Sequence, residues 1–420
     1  MPKWIGNRFG SVVPISPGTD APSAIYNMFD QYYARQDSGW VNASGLTATG
    51  GVVSEYSSGN TVYKAHVFTE SGTFNVTAGG DLGDTVDVLV VGSGGGGGTS
   101  GGGGGGGGVR YLTSQPVGSS FPQPFAVVIN AGGTGVPGGG SGTGGVGGSV
   151  TIGSSPQPIN ITSPGGGGGG SHNSDTAGPG SSGGGTGRDG SQSGGSRTGS
   201  DHPGVSNADV PSAPLPAPAA WFGHAGGQGP SQANGDQSGG GGGGAASAGS
   251  RGKENGPGAG GDGAIYTIAN GSQAKYGAGG GGGRMTDPAG AGGATGYSPF
   301  TTPVNSGKGG SNPPHVFAVP GQAGFGGGGG GGAGPGGPGS GIGGNGGSGT
   351  VVVRYQIGTV SGTAKATGGA ISFAGGKTVH TFVATDTFTV TDSGLSSVEY
   401  VVVGGGGAGG GSSRGGGGGA

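Results

Sequence analysis

Six His and nineteen Asp or Glu residues are all that 420 positions offer for acid–base or metal chemistry. His172 with Asp175, and Asp201 beside His202, are the pairings close enough to begin a metal site. Imidazole and carboxylate are ordinary zinc ligands, yet neither pair has a third ligand at a recognisable spacing. Both pairs sit among Gly, Ser and Pro, where solvated loop residues are expected. The chain has no Cys, which excludes thiolate metal sites and disulfides alike. No Ser stands with a His and an acid in a strand–turn–helix context, so a nucleophile elbow is missing. A glycan hydrolase would need two carboxyl groups about 5–10 Å apart, and nothing in the sequence marks such a pair. Matches to dinucleotide and phosphate loops abound, but a Gly-rich chain generates them by chance. None follows a strand with the acidic or Lys-Ser/Thr partner that the chemistry requires. The expectation is a chain without a catalytic centre, a cofactor or a metal.

The aromatic residues suggest binding instead. Trp221, Phe222 and His224 close a Pro-rich segment, 211–224. A second stretch, 284–325, carries Arg284, Met285, Tyr297, Phe300, His315 and Phe317. Aromatic rings on Pro-braced loops give large contact area at low entropic cost, which suits a sugar or a protein surface. The candidate receptor contacts are therefore Trp221, Phe222, His224, Tyr297, Phe300 and Phe317. The competing role for the same rings is to plug the ends of a packed glycine assembly.

The elements that must position those loops are built from few ordinary core residues. Gly accounts for 126 residues, Pro for 27, and Leu for only six. A helical core is excluded on supply alone. Collagen is excluded as well, because its strict every-third-residue Gly period is lost in runs such as 101–108, 239–244 and 326–332. Disordered chains are usually charge-rich, whereas only 8% of this chain is charged, so a structured, core-poor protein is expected. Net charge is −3 and no basic stripe accompanies the aromatics, which argues against nucleic acid as a partner. Residues 1–15 carry no apolar signal-peptide core, and no apolar stretch approaches membrane-spanning length. Membrane insertion and Sec-type export are not expected.

Two stretches of the chain repeat. The first starts at Thr49 (TGGVVSEYSSGNTVYKAHVFTESGTFNVT) and runs on to VDVLVVGSGGGGG; the second starts at Thr367 (TGGAISFAGGKTVHTFVATDTFTVT) and runs on to VEYVVVGGGGAGGG. His66 corresponds to His380, Phe68 to Phe382, Phe74 to Phe388, and Val86–Val91 to Val398–Val403. The first copy continues to SGTVVVRY, Ser348–Tyr355. The division that follows is an arm over 1–48, a complete unit over 49–356, a linker over 357–366, and the opening of a second unit over 367–420. Within the complete unit, 61–68, 73–77, 86–91, 125–129, 149–152 and 351–355 read as strands, being β-branched and aromatic between turn residues. Val88-Leu89-Val90-Val91 is apolar on both faces, which marks a central, doubly buried strand. The fold class is mostly β: small β-sandwich units with glycine segments leaving from one end.

Ordering so many glycines requires compensation, because each loses more backbone freedom than any other residue. Their only resource is the peptide group. In the three-residue extended helix, N–H and C=O point outward without internal partners. Packing such helices side by side satisfies them, and only Gly permits the close approach. Eight runs are long enough to take part: 94–98, 101–108, 165–170, 239–244, 279–283, 326–332, 404–407 and 415–419. A bundle of polyglycine helices through which the chain passes back and forth is the expected body.

Residues 1–48 differ. Thr19-Asp20-Ala21-Pro22 is a helix start, and Ile25, Met28, Phe29, Tyr32 and Tyr33 then form one apolar stripe. A helix over about 20–36 is expected, too short to be stable unpartnered. With Trp4, Ile5 and Trp40, this stripe is the candidate docking surface toward another protein.

The arm, through Lys3, Trp4, Ile5, Gly6, Arg8, Asp30, Gln31, Tyr32, Tyr33 and Trp40, resembles the start of phage tail-associated structural proteins. The repeated LVVGGGG-type unit resembles glycine-rich domains of phage tail fibres and some bacterial surface proteins. Phage adhesins of this type hold distal recognition loops on a stacked polyglycine bundle. The resemblance implies a structural virion protein, assembled in the host cytoplasm, trimeric as fibres commonly are. It would contact other tail proteins through 1–48 and a host glycan or outer-membrane protein elsewhere. A non-viral surface adhesive and a fibre-borne glycan depolymerase are the competing readings.

Overall fold

Two strands buried on both faces organise the molecule. The computed structural model describes residues 45–59, 61–171, 176–187, 195–196, 222–230, 238–253, 256–284, 306–311, 317–334, 341–359, 365–374, 377–382 and 385–402. These residues contain strands and no helix; the expected helix over 20–36 lies outside them. The first nine strands are β1 (Thr47–Thr49), β2 (Val52–Ser58), β3 (Thr61–Phe68), β4 (Gly72–Ala78), β5 (Thr85–Val91), β6 (Val109–Pro116), β7 (Gln123–Ile129), β8 (Val150–Gly153) and β9 (Asn160–Ser163). A short hairpin, β10 (Ala264–Tyr266) and β11 (Ala274–Tyr276), precedes the long strand β12 (Thr350–Thr359).

One five-stranded antiparallel sheet has the order β2-β3-β12-β5-β6, and the other β1-β4-β7-β8-β9. The last strand of the unit thus enters the middle of the first sheet. There Val352 sits opposite Val67 of β3 and Leu89 of β5. Alternation assigns the faces. Val86, Val88, Val90, Val351 and Val353 point into the sandwich with Phe74, Phe125, Val127 and Ile152. Leu89, Val91 and Val352 point the other way, under Tyr56, Tyr111, Phe222, Ala264, Tyr266 and Tyr276. The fully apolar run at 88–91 therefore reads as it packs: both its faces are covered.

The sheets extend directly into glycine. Strand β5 continues as 92–98, turns at Thr99-Ser100, and returns as 101–108 into β6. Amide hydrogen bonds along 92–98 rotate with a three-residue period. Residues 92, 95 and 98 donate to 108, 105 and 102; residues 93 and 96 to 148 and 145; residues 94 and 97 to 347 and 344. Carbonyls of the same run accept from 133 and 136, from 166 and 169, and from 329 and 332. Six neighbours thus surround one strand of backbone, as a three-fold helix in hexagonal packing demands. Segment 101–108 is likewise enclosed, donating to 164–170, 240–243 and 326–332 and accepting from 92–98, Gly185 and 280–283. The peptide groups that the sequence leaves without side-chain partners satisfy one another.

Within the packed runs glycine is required by proximity. A methyl group on Gly104 would overlap the Gly95 carbonyl oxygen, and one on Gly168 would overlap that of Gly144. Those approaches are Cα–H···O contacts that side chains would abolish.

The start of the repeat recurs at the carboxy-terminal side as β13 (Ala366–Thr367), β14 (Ala370–Ala374), β15 (Lys377–Thr381) and β16 (Thr389–Val390). Its registers copy the first unit: Ala366 pairs with Val390 as Ala48 does with Val76, and Ile371 with His380 as Val53 does with His66. Gly50 and Gly51 have φ of 107° and 63°, and Gly368 and Gly369 have 104° and 64°, a left-handed corner that favours Gly.

Candidate functional site

The bundle has two unlike ends. At the sandwich end each run is continuous with a strand or seated on the outer core, as Ala245 and Phe325 are. Hydroxyls close that end: Ser93 Oγ donates to the Asn130 carbonyl at 2.6 Å and Ser163 Oγ to that of Gly108 at 2.7 Å.

At the far end Thr99 and Ser100 make the tight reversal. Thr99 Oγ1 donates to the Pro137 carbonyl at 3.0 Å and Ser100 Oγ to that of Ala333 at 2.9 Å. The Thr99 amide donates to Ser171 Oγ at 2.9 Å. Around this plug lie Gly185, Gly239, Gly283, Gly310 and Gly332, linked through Gly101, Gly102 and their neighbours by hydrogen bonds. Excursion segments of the sequence therefore begin here: the described chain reaches this level at Ser171, Gly187, Arg284, Ser311 and Gly334.

Apolar residues are exposed on runs that reach this end, among them Phe317, Val319 and Ile342. Phe317 is 60% exposed, Val319 45% and Ile342 44%. Gly344 abuts Val319, and Gly347 abuts Gln322, so 317–322 and 342–347 run parallel with Ile342 level with Phe317. Phe317, Val319 and Ile342 thus lie exposed on two adjacent runs of the bundle.

The candidate contacts from the sequence separate. Phe222 lies at the sandwich end, bridged to Val109 and 1% exposed within the outer core. Its ring is a core residue and does not reach a ligand, because the segment enters the bundle at its base. His224 is half-buried two residues on, its carbonyl accepting from Gly183. Phe317 lies exposed on a run that reaches the far end. Trp221, Tyr297 and Phe300 lie outside the described residues, as do Trp4, Ile5, Ile25, Met28, Phe29, Tyr32, Tyr33, Trp40, His172, Asp175, Asp201 and His202. Val319 and Ile342 were missed because single aliphatics amid glycine carry no periodic signal. The capping residues Thr99, Ser100 and Ser171 had one: each hydroxyl interrupts or ends a glycine run.

The ionisable groups that are placed serve packing. His66 is fully buried, stacked on Tyr355 and edge-on to Phe74. Its Nδ1 lies 2.6 Å from the Gly50 carbonyl, which can only accept, so Nδ1 carries the proton and Nε2 accepts from the Tyr355 hydroxyl at 3.1 Å. Burial holds the His66 pKa below its ordinary value, and burial pushes Tyr355 up to about 12. Arg354 forms an ion pair with Asp87 at 3.0 Å and donates to the hydroxyls of Tyr56 and Tyr111 at 3.0 and 3.1 Å. Its guanidinium also lies 4.4 Å from the centre of the Tyr63 ring. Among the described residues no cluster of His, Asp and Glu could hold a metal ion, and no helix is long and apolar enough to cross a membrane.

No curated protein and no solved structure matches the chain. The family model of the glycine-rich domain does match, from Thr69, just after β3, to Gln356 within β12. That span holds most of the sandwich and the whole described bundle, and the chain belongs to the glycine-rich domain family.

Proposed function

We propose that this chain is a structural, non-catalytic adhesin of a phage tail, attached by residues 1–48 and contacting the host at the far end of its bundle. The observation that carries the reading is the polarity of the bundle. One end is built into the sandwich, and excursion segments follow Ser171, Gly187, Arg284, Ser311 and Gly334 at the other, beside exposed Phe317 and Ile342. A bundle saturated in hydrogen bonds is a rigid spacer, so those segments are presented at a fixed distance from the base. Binding loops on a rigid scaffold are the usual arrangement for recognition. The arm residues Trp4, Ile5, Ile25, Met28, Phe29, Tyr32, Tyr33 and Trp40 supply the docking surface toward tail proteins, with Tyr297 and Phe300 adding to the host contact. The partner is a host glycan or outer-membrane protein, and the working form is a homotrimer.

The test pairs two changes. Deleting 1–48 abolishes incorporation into tails lacking the protein, while the double variant F317A/I342A incorporates normally and lowers cell adsorption about tenfold, as loss of an aromatic anchor does. Adsorption by the isolated protein without tail incorporation would assign it instead to a free-standing surface adhesive. Release of soluble sugar from host glycan would assign it to the depolymerases.

A further inference from the structure

The two sheets of the sandwich present unlike outer faces. Over the first lie Phe222, Tyr266 and Tyr276, and its strands carry Glu55, Lys64, Asp87, Arg110 and Arg354. The second, β1-β4-β7-β8-β9, keeps Phe74, Phe125, Val127 and Ile152 inside, so alternation turns Thr73, Asn75, Ala126, Val128 and Thr151 outward. Its five strands hold no Asp, Glu, Lys, Arg or His. Their aromatic rings, Phe74 and Phe125, are completely buried, so none stands on the outer face.

This neutral face is open and continues onto the bundle. Thr49, Thr73, Ala126 and Thr162 are exposed, and Val128 is 42% exposed. The glycine run 143–148 leads into β8, and its three-residue screw sets Val146 in line with Ser149, two residues before Thr151. Val146 is 57% exposed, and 131–149, which joins β7 to β8, is uncharged throughout. The seven-residue strands β4 and β7 are about 23 Å long and five strands are about 24 Å wide. With the bundle flank the face approaches the roughly 800 Å² that each partner gives to a standard interface. An acidic or basic partner finds no charge to pair with here, and a sugar finds no ring to stack on. Depletion of charge is what marks the core of a protein interface. The surface that matches this one in neutrality, flatness and size is the same face on another copy.

We propose that the outer face of β1-β4-β7-β8-β9 is where copies of the chain meet; that three of them meet there rests on the homotrimer proposed above. The three sheets form the sides of a triangular core, with Val128 and Val146 toward its axis. The bundles then stand side by side, and their far ends stay free for the host contact.

The chain has no Cys, so a single introduced thiol reports on its own surroundings. Thr73→Cys and, as a control, Val52→Cys are made in the full chain; Val52 is 73% exposed on the edge strand of the other sheet. Light scattering gives the mass in solution, and reaction with a soluble maleimide is timed over a range of protein concentrations. The expected mass is that of three chains. The thiol at position 73 reacts at least about tenfold more slowly in the assembly than in chains diluted apart, and the thiol at position 52 reacts alike in both. Val128→Asp raises the concentration needed for assembly at least about tenfold, because it sets like charges around one axis. A trimer whose thiol at 73 reacts freely overturns the proposal and leaves the trimer standing. A two-chain particle with that thiol protected supports the face as the interface and overturns the trimer. A chain that stays single at every concentration overturns both.

Discussion

His66 is a neutral imidazole fixed between a carbonyl and a phenol, and this has a direct consequence in solution. Its folded pKa lies below the unfolded value because burial disfavours the cation. Between the two values the unfolded chain binds more protons, so stability falls as pH falls from about 6.5 through the folded pKa. The thermal midpoint should drop between pH 7 and pH 5, and the drop should shrink in His66→Gln; an unchanged slope in that variant would assign the acid sensitivity elsewhere. Tyr355→Phe should cost about 1–2 kcal/mol by leaving Nε2 without its donor, measurable by denaturant unfolding. Arg354→Met strands Asp87 beneath two tyrosines and should cost about 3 kcal/mol or more. The recurrence of His66 and His380 in sequence equates the two positions but does not give their partners. Gly50 and Tyr355 are brought to His66 by the turn before β2 and by a strand 289 positions away, which no local pattern encodes.

At the level of elements, strand and bundle obey opposite rules. Strands were legible where β-branched residues cluster: 61–68 and 86–91 agree with β3 and β5 closely. Strands β6 and β9, Arg- and Asn-containing and short of apolar residues, gave no such signal, and neither did the hairpin at 264–276. The glycine runs were legible as helices of peptide groups, while their neighbours were not, since every run has the same side chain: none. Substitution separates the two kinds of glycine. Gly104→Ala drives a methyl into the Gly95 carbonyl and should cost more than about 3 kcal/mol or block folding. Gly358→Ala, in β12 with open space at that position, should stay within about 0.5 kcal/mol. Equal effects in a calorimeter would show that the runs are not close-packed in solution.

Across the whole molecule, sandwich and bundle share their covalent joints and their cores. Runs 92–98 and 101–108 continue β5 and β6, and Phe222, Ala245 and Phe325 pack from the bundle onto the outer sheet. The two should therefore melt as one. Near-ultraviolet signals from Tyr56, Tyr111, Tyr266 and Tyr276 and the far-ultraviolet signal of extended glycine helix should share a midpoint. Two separated transitions would mean that the bundle stands without its base.

The three-residue screw of the bundle also sets which insertions and deletions the chain can absorb. Lengthening 101–108 by one residue would turn every later amide by a third of a revolution, aiming it at the wrong neighbour. The runs can change only in steps of three, and only if the runs around them change in step. Segments opening at the far end carry no such phase. Lineages of this protein should therefore show loops of arbitrary length on shafts whose lengths come in quanta.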